Sequence, residues 1–191
     1  NEVKYGAKGI FEALEADLPK LEQFVGAMTG LSRINFEAFA EKFDFSRFKT
    51  LCDVGGATGL LCVEVARRHP HLRCTSFDLP VVEPVAKRAI AASGLGARIG
   101  TVSGDFFKDP LPKADLITMG MILHDWNLEK KKHLVRAAYD ARPKGGAPPA
   151  LGQQAPLAAL AAIPWAPTCP HGRPVAVPFD LAEIERRFAR R

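Results

Sequence analysis

The sequence predicts an α/β domain in which a parallel sheet carries helices on both faces. Three observations lead to this fold class. The apolar residues change at Thr50 from helical spacing to short runs, strand-like and helix-like stretches alternate from there to Ala141, and a glycine cluster separates the first strand from the helix after it. With 191 residues, 47% of them hydrophobic, the chain can bury one core.

Residues 1–49 form the first predicted region, a helical lead-in to the sheet. Their apolar residues recur at helical spacing, which predicts two or three helices with Pro19 as an interruption. The residues that define this spacing are Ile10, Phe11, Leu14, Leu18, Leu21, Phe24, Val25 and Met28.

Residues 50–142 form the second predicted region, the α/β core. Short apolar runs predict strands, and longer amphipathic stretches predict helices between them. The predicted order is a strand at Leu51–Val54, a helix at Thr58–His69, a strand at Leu72–Phe77, a helix at Val81–Ala92, strands at Arg98–Val102 and Asp115–Ile122, and a helix at Leu128–Ala141.

Residues 143–191 form the third predicted region, a divergent tail rich in proline and alanine. Nine of the fifteen prolines fall between Pro143 and Pro178, and prolines 148 and 149 would remove ladder donors from a further central strand at 146–153. We expect residues 143–178 to be poorly ordered and a short amphipathic helix to follow at Asp180–Arg190. An alternative exon or a shifted reading frame would produce such a tail.

Composition and charge narrow the classes of function. The net charge of +5 comes from basic and acidic residues that are mixed along most of the chain, which argues against a nucleic-acid partner. The four cysteines are too far apart for a CxxC metal pair, so no metal site is predicted, and a reducing, cytoplasmic setting is favoured. No apolar run predicts a membrane span, and no leader predicts secretion.

The glycine cluster, Asp53 to Gly59, predicts a turn at which a nucleotide-like ligand can approach the backbone. A dinucleotide fingerprint would need glycines where Ala57 and Leu60 stand, so the sequence argues against an NAD-dependent oxidoreductase. By itself the cluster is explained equally well by a structural turn between strand and helix.

Two acidic positions after the next strands strengthen the ligand interpretation. Asp78, at the end of the second strand, could accept hydrogen bonds from two ribose hydroxyls, although it could also cap a helix. Asp105, followed by Phe106 and Phe107, suits an adenine and its amino group, although a turn with two core phenylalanines is the simpler interpretation. All three features follow strands, at the edge where open parallel sheets bind ligands.

The stretches LCDVGGATG, FDLPVV, SGDFFKDPLPKADL and MILHDW occur in that order and together resemble the plant-type and acetylserotonin-type O-methyltransferase family. The resemblance implies a Rossmann-like, S-adenosylmethionine-dependent methyltransferase fold, here incomplete and preceded by helices, with S-adenosyl-L-methionine as cofactor. It also implies a small-molecule hydroxyl substrate, and a family homodimer whose dimerisation region is largely missing from residues 1–49. The residues it assigns to cofactor binding are Gly55, Gly59, Asp78, Leu79, Asp105 and Phe106.

The same resemblance assigns His124 as the general base and Asp125 as the carboxylate that orients it. A neutral imidazole can accept a hydroxyl proton near neutral pH, which fits this role. Phe24 and Met28 resemble a family segment that lines the cofactor and substrate space, although core packing explains them equally well.

The sequence departs from the family pattern at three residues, in the glycine cluster and around the start of the MILHDW stretch. Ala57 replaces a glycine, and Gly120 and Met121 stand where a Lys or Arg is usual. A catalytically silent interaction or regulatory module is therefore the alternative to an active methyltransferase.

Overall fold

The structure is a computed structural model that describes residues 17–143, with the side chain of His124 left out. The helix predicted at Asp180–Arg190 and the poorly ordered segment predicted from residue 143 lie outside the described residues, apart from Pro143 itself. The same holds for residues 1–16 of the predicted lead-in.

Helices and strands alternate along the described residues. Their order is α1 (Leu18–Lys42), β1 (Thr50–Val54), α2 (Leu60–Arg68), β2 (Arg73–Asp78), α3 (Glu83–Ala92), β3 (Ile99–Ser103), β4 (Leu116–Thr118), a 3-10 helix (Leu123–Asp125) and α4 (Leu128–Asp140). Among the helices of residues 17–143, none is long and apolar enough to cross a bilayer.

The strands form one parallel sheet in the order β3-β2-β1-β4. Val54 at the end of β1 pairs with Phe77 of β2, and Asp78 pairs with Ser103 of β3. The carboxyl ends of the strands therefore meet at one edge of the sheet. The predicted α/β class with a parallel sheet is confirmed.

Helices cover both faces of the sheet, as predicted. On one face, α2, α3 and the last turns of α1 bury a core that includes Leu51, Cys74 and Ile99. On the other face, α4 packs against a smaller core that includes Cys52 and Phe77. Alternate residues of β1 thus belong to different cores, as the two-residue period of a strand requires. Among the described residues, the cysteines at positions 52, 62 and 74 are buried and free.

Pro19, predicted to interrupt the helical spacing of residues 1–49, stands at the start of a helix, and the residues before Asp17 lie outside the described part of the chain. Pro19 lies in the first turn of α1, which runs unbroken for 25 residues to Lys42. A first-turn proline removes an N–H that has no intrahelical partner, and its fixed φ suits the helix. Asp17 caps this end, where its carboxylate accepts a hydrogen bond from the Lys20 N–H at 3.2 Å.

The strand predicted at Asp115–Ile122 is much shorter than expected. β4 ends at Thr118, and a turn follows in which Met121 has φ +61°. A positive φ takes the backbone out of extended geometry, so the strand cannot continue through this residue. The residues that follow β4 therefore leave the sheet and form one side of the functional site.

Candidate functional site

A cavity of about 390 Å³ opens at the carboxyl edge of the sheet. Its walls come from α1, from the turn after β1, from the ends of β2 and β3, and from the segment after β4. The size lies within the range of about 300 to 1,000 Å³ that is usual for small-molecule sites. The location is where open parallel sheets bind their ligands.

The turn after β1 is fixed to β2 by backbone hydrogen bonds. The N–H groups of Gly55 and Gly56 both reach the carbonyl of Phe77, at 2.8 and 3.3 Å. Gly55 has φ +72°, and a Cβ there would lie 2.7 Å from Cγ1 of Ile122. Glycine is therefore required at this position for both backbone conformation and space.

Asp78 is held beside this turn by two backbone donors. Its carboxylate accepts hydrogen bonds from the N–H of Ala57 and the N–H of Leu79, both at 2.8 Å. Burial raises the pKa of Asp78, and the two N–H bonds act in the opposite direction. Its remaining lone pairs are available as acceptors at the cavity wall, which Asp78 lines.

Asp105 and Phe106 line the same cavity at the end of β3. The Asp105 carboxylate accepts from the N–H of Phe107 at 2.9 Å and pairs with the Lys108 ammonium at 2.8 Å. Desolvation raises the pKa of Asp105, but the Lys108 and Phe107 bonds together lower it below its ordinary value. A negative charge thus stands next to an aromatic ring.

An aromatic cluster continues from Phe106 along this wall. Phe107 packs edge-on against Trp126, with ring centroids 4.7 Å apart, and Phe106 lies 4.8 Å from Phe107. The ammonium of Lys130 sits 4.8 Å from the Trp126 centroid. Such a surface suits a flat ring system.

Helix α1 supplies the apolar side of the cavity. Phe24, Met28 and Ser32 recur at intervals of four residues, and all three line the cavity together with Thr29 and Phe36. Sequence reasoning named Phe24 and Met28 but missed the other three. The four-residue spacing would have found Ser32 and Phe36, since residues four apart share one face of a helix.

The segment after β4 closes the remaining side. Gly120, Met121, Ile122, Asp125 and Trp126 line the cavity. His124 lies with its backbone in the 3-10 helix Leu123–Asp125, and its side chain is outside the described part of the structure. Gly120 permits the close approach of Phe36, because a Cβ there would lie 2.9 Å from that ring.

A buried carboxyl joins β1 to β4 beneath the cavity. Asp53 is 2% exposed, and its Oδ1 accepts a hydrogen bond from the Thr118 hydroxyl at 2.8 Å. Burial raises the pKa of Asp53 to about 7, the Thr118 bond acts against this, and the charge of Asp78 raises the pKa further. Nothing in the sequence analysis singled out this pair.

Comparison with known proteins decides the family. A sequence profile described as an O-methyltransferase domain matches residues 2–148, which is more than half of the chain. The chain belongs to the O-methyltransferase domain family. The family resemblance carried by the four motifs is thereby confirmed.

Relatives of this O-methyltransferase domain include bacterial and human proteins. It is 39% identical over 126 residues to the 3-hydroxy-5-methyl-1-naphthoate 3-O-methyltransferase of Streptomyces sahachiroi, covering 65% of the chain and 36% of that protein. It is 40% identical over 125 residues to a probable bifunctional dTTP/UTP pyrophosphatase/methyltransferase protein of Homo sapiens, covering 65% of the chain and 20% of that protein.

A solved structure supports the same family assignment. The crystal structure of human N-acetylserotonin methyltransferase in complex with SAM superposes with a TM-score of 0.66 at 35% identity, covering 73% of the chain and 40% of that protein. The chain thus spans less than half the length of each of these three relatives. The predicted methyltransferase fold is confirmed for the part that the structure describes.

The O-methyltransferase domain brings most of the predicted site residues into one cavity. The six that line it are Gly55, Asp78, Leu79, Asp105, Phe106 and Asp125. Gly59 lies outside the cavity wall, where it caps α2 with φ +74°. The individual roles of all these residues stay predictions, as does that of His124.

Proposed function

We propose that the cavity binds S-adenosyl-L-methionine and that the chain is the cofactor-binding part of a small-molecule O-methyltransferase. The observation that carries the proposal is the Asp78 carboxylate, fixed by two N–H donors beside the glycine turn and facing the cavity. A carboxylate so held can accept both hydroxyls of a ribose. Because the chain spans less than half of its relatives, activity and substrate belong to the proposal.

The residues present fit this cofactor. Asp78 offers acceptors for a ribose diol, and Asp105 offers an acceptor for an amino group next to the ring of Phe106. The positive φ of Gly55 leaves the backbone open to a ligand at the turn. Leu79 adds apolar surface beside the ribose position. When bound, the cofactor would supply an electrophilic methyl group.

The chain's own residues would then prepare the acceptor hydroxyl. His124, as a neutral imidazole, would take the hydroxyl proton, and Asp125 would orient the ring and stabilise the imidazolium. Apolar side chains of α1 at Phe24, Met28 and Phe36 favour a flat, apolar acceptor that carries a hydroxyl group. The naphthoate methyltransferase among the relatives makes an aromatic alcohol the first class to test.

A catalytically silent module is the second candidate. Two residues without glycine's freedom, Ala57 and Met121, adopt positive φ values of +51° and +61° in the walls of the cavity. Both stand where the sequence departs from its family pattern. Turnover of an aromatic alcohol by the full chain with the methyl donor would exclude the silent module.

Partners and organisation complete the proposal. A homodimer is supported by exposed apolar residues on α1, since Leu31 and Ile34 are 69% and 57% exposed. A cytoplasmic location is supported by the buried free thiols. The division into residues 1–49, 50–142 and 143–191 is retained as the expected domain plan. Light scattering coupled to gel filtration of the full chain tests the dimer.

The deciding experiment is calorimetric titration of the full chain with S-adenosylhomocysteine. We expect saturable one-site binding, and Asp78→Ala should weaken it about 100-fold, because two hydrogen bonds to a charged acceptor are lost. Asp115→Asn is the matched control. Asp115 accepts hydrogen bonds from the N–H groups of Lys49 and Thr50 at the opposite end of β1, away from the cavity.

Three outcomes can be told apart. Binding that is lost in Asp78→Ala and kept in Asp115→Asn supports the proposed site. Binding that is unchanged in Asp78→Ala contradicts the role given to Asp78. A native chain that is folded by circular dichroism yet does not bind contradicts the proposed cofactor.

A further inference from the structure

A hydroxyl pair links helix α1 to the glycine turn. Oγ1 of Thr29 lies 2.9 Å from Oγ1 of Thr58, and both residues line the cavity. The Thr29 hydroxyl also lies 2.7 Å from the carbonyl oxygen of Val25, one helical turn earlier. Thr58 belongs to the glycine cluster, but the sequence analysis gave neither threonine a role, and the contact joins residues 29 positions apart.

The direction of this short chain of hydrogen bonds follows from counting protons. A carbonyl oxygen can only accept, so the bond to Val25 uses the single hydroxyl proton of Thr29. The bond between the two threonines must therefore use the proton of Thr58. Thr58 donates to Thr29, and Thr29 donates to Val25.

This direction leaves Thr58 as an acceptor toward the cavity. Its oxygen keeps two lone pairs, and no other hydrogen bond to Oγ1 of Thr58 is formed by the residues that the structure describes. An oxygen whose proton is already committed can receive a hydrogen bond but cannot offer one. It therefore attracts a cationic donor and disfavours a carboxylate.

The cofactor of the proposed function would present such a donor on this side. With its ribose at Asp78 and its adenine near Asp105 and Phe106, the cofactor would extend its other end along the turn toward α1, whose residues line the same cavity. That end carries an amino acid with an ammonium and a carboxylate. The turn and α1 meet at Thr58 and Thr29.

We propose that Oγ1 of Thr58, committed as an acceptor by Thr29, receives a hydrogen bond from the ammonium group of the cofactor's amino-acid tail. Thr58 is then a binding residue, and Thr29 is a positioning residue that acts through it. The proposal rests on the proposed cofactor. It adds a basis for selecting ligands that carry an amino group.

The test compares two ligands on the full chain by calorimetry. One is S-adenosylhomocysteine, and the other is its deamino analogue, which keeps the nucleoside, thioether and carboxylate but has hydrogen in place of the amino group. Thr58→Val should weaken binding of the first ligand about tenfold, the size expected for one hydrogen bond to a charged group, and leave the second unchanged.

Thr29→Val tests the positioning role separately. The Thr58 proton is then free to rotate toward the cavity, so S-adenosylhomocysteine should bind about threefold more weakly, while the deamino analogue binds equally well or more tightly. Thr29→Ser keeps the hydroxyl and should restore native preference. Thr101→Val is the control, because the Thr101 hydroxyl bonds to Glu83 outside the cavity.

The outcomes separate this proposal from the one on which it rests. A native chain that binds neither ligand overturns both. A native chain that binds S-adenosylhomocysteine, with variants that weaken both ligands equally, overturns the threonine proposal alone, because a structural defect would not distinguish an amino group. Unchanged preference in both Thr58→Val and Thr29→Val would do the same.

Discussion

Two of the walls of the cavity are built in different ways. The turn wall, residues 55–58 with Asp78, is fixed by backbone N–H groups that bond to Phe77 and to the Asp78 carboxylate. The loop wall, residues 120–126, follows the three-residue strand β4 and is set by side chains from elsewhere, such as Phe36 against Gly120. The conformation of the turn wall follows from strand pairing and from hydrogen bonds to neighbouring strands. The conformation of the loop wall depends on side chains that come from elements far away in the sequence.

The hydrogen bond between Asp53 and Thr118 joins β1 to β4, the strands that lead into the two walls. Titration of Asp53 gives the largest expected change in stability. Its folded pKa is about 7, because burial opposes its charge, whereas an unfolded aspartate has a pKa of about 3.9. Between these values the folded state holds a proton that the unfolded state lacks. The free energy of unfolding therefore falls as pH rises from about 4 to about 7, by on the order of 4 kcal/mol.

The matched variant is Asp53→Asn, which keeps an acceptor for the Thr118 hydroxyl but cannot ionise. Urea unfolding at pH 4.5 and 8, conditions chosen on either side of the transition from about 4 to about 7, should show a steeper loss of stability in the native chain than in the variant. Asp78 also has a raised pKa and is present in both proteins, so the difference between the two profiles reports Asp53 together with its electrostatic coupling to Asp78. Parallel pH profiles would contradict the conclusion that the buried Asp53 carboxyl has a raised pKa in the folded state.

The turn wall could be predicted from the sequence because its parts are close along the chain or follow directly from strand order. Gly55, Asp78 and Asp105 each follow a strand, and parallel pairing alone brings them to one edge. The loop wall could not be predicted in the same way. The strand was expected to reach Ile122, because apolar residues continue that far and nothing local announces the positive φ of Met121.

Contacts between helix α1 and the glycine turn also could not be predicted from the sequence. The bond between Thr29 and Thr58 depends on how α1 lies against α2, which periodicity does not determine. Pro19 shows the same limit at a helix end. Proline alone indicates a helix boundary, and only the structure shows that Pro19 stands in the first turn of α1.

Gly55→Ala tests whether the two walls depend on each other, with a middle-sized effect. The new methyl group meets a positive φ and the side chain of Ile122, which comes from the loop wall. We expect the free energy of unfolding to fall by about 2 kcal/mol, roughly half from the backbone and half from crowding. Affinity for S-adenosylhomocysteine should fall as well, because Ile122 can only yield by moving within the cavity wall.

Two further variants separate the backbone part of this loss of stability from the part caused by crowding. Gly94→Ala has nearly the same φ, +73°, with nothing within 4 Å of the new Cβ, so it should show the backbone part alone, about 1 kcal/mol. Ile122→Ala combined with Gly55→Ala should recover the crowding part. If Gly55→Ala costs no more than Gly94→Ala, then the walls are not in contact at this point.

The smallest expected effect on stability comes from replacing the two residues other than glycine that have positive φ in the described part of the chain. They are Ala57 in the turn wall and Met121 in the loop wall. In Ala57→Gly, relief of strain is offset by greater freedom of the unfolded chain and by loss of a methyl contact with the cluster around Leu21 and Val25. Its free energy of unfolding should stay within about 0.5 kcal/mol of the native value. Met121→Gly gains the same relief but loses a longer, half-buried side chain, so it should be about 1 kcal/mol less stable than Ala57→Gly in urea unfolding. Equal stability would mean that Met121 contributes little packing, and the loop wall would then depend on Phe36 and Ile122 rather than on its own strained residue.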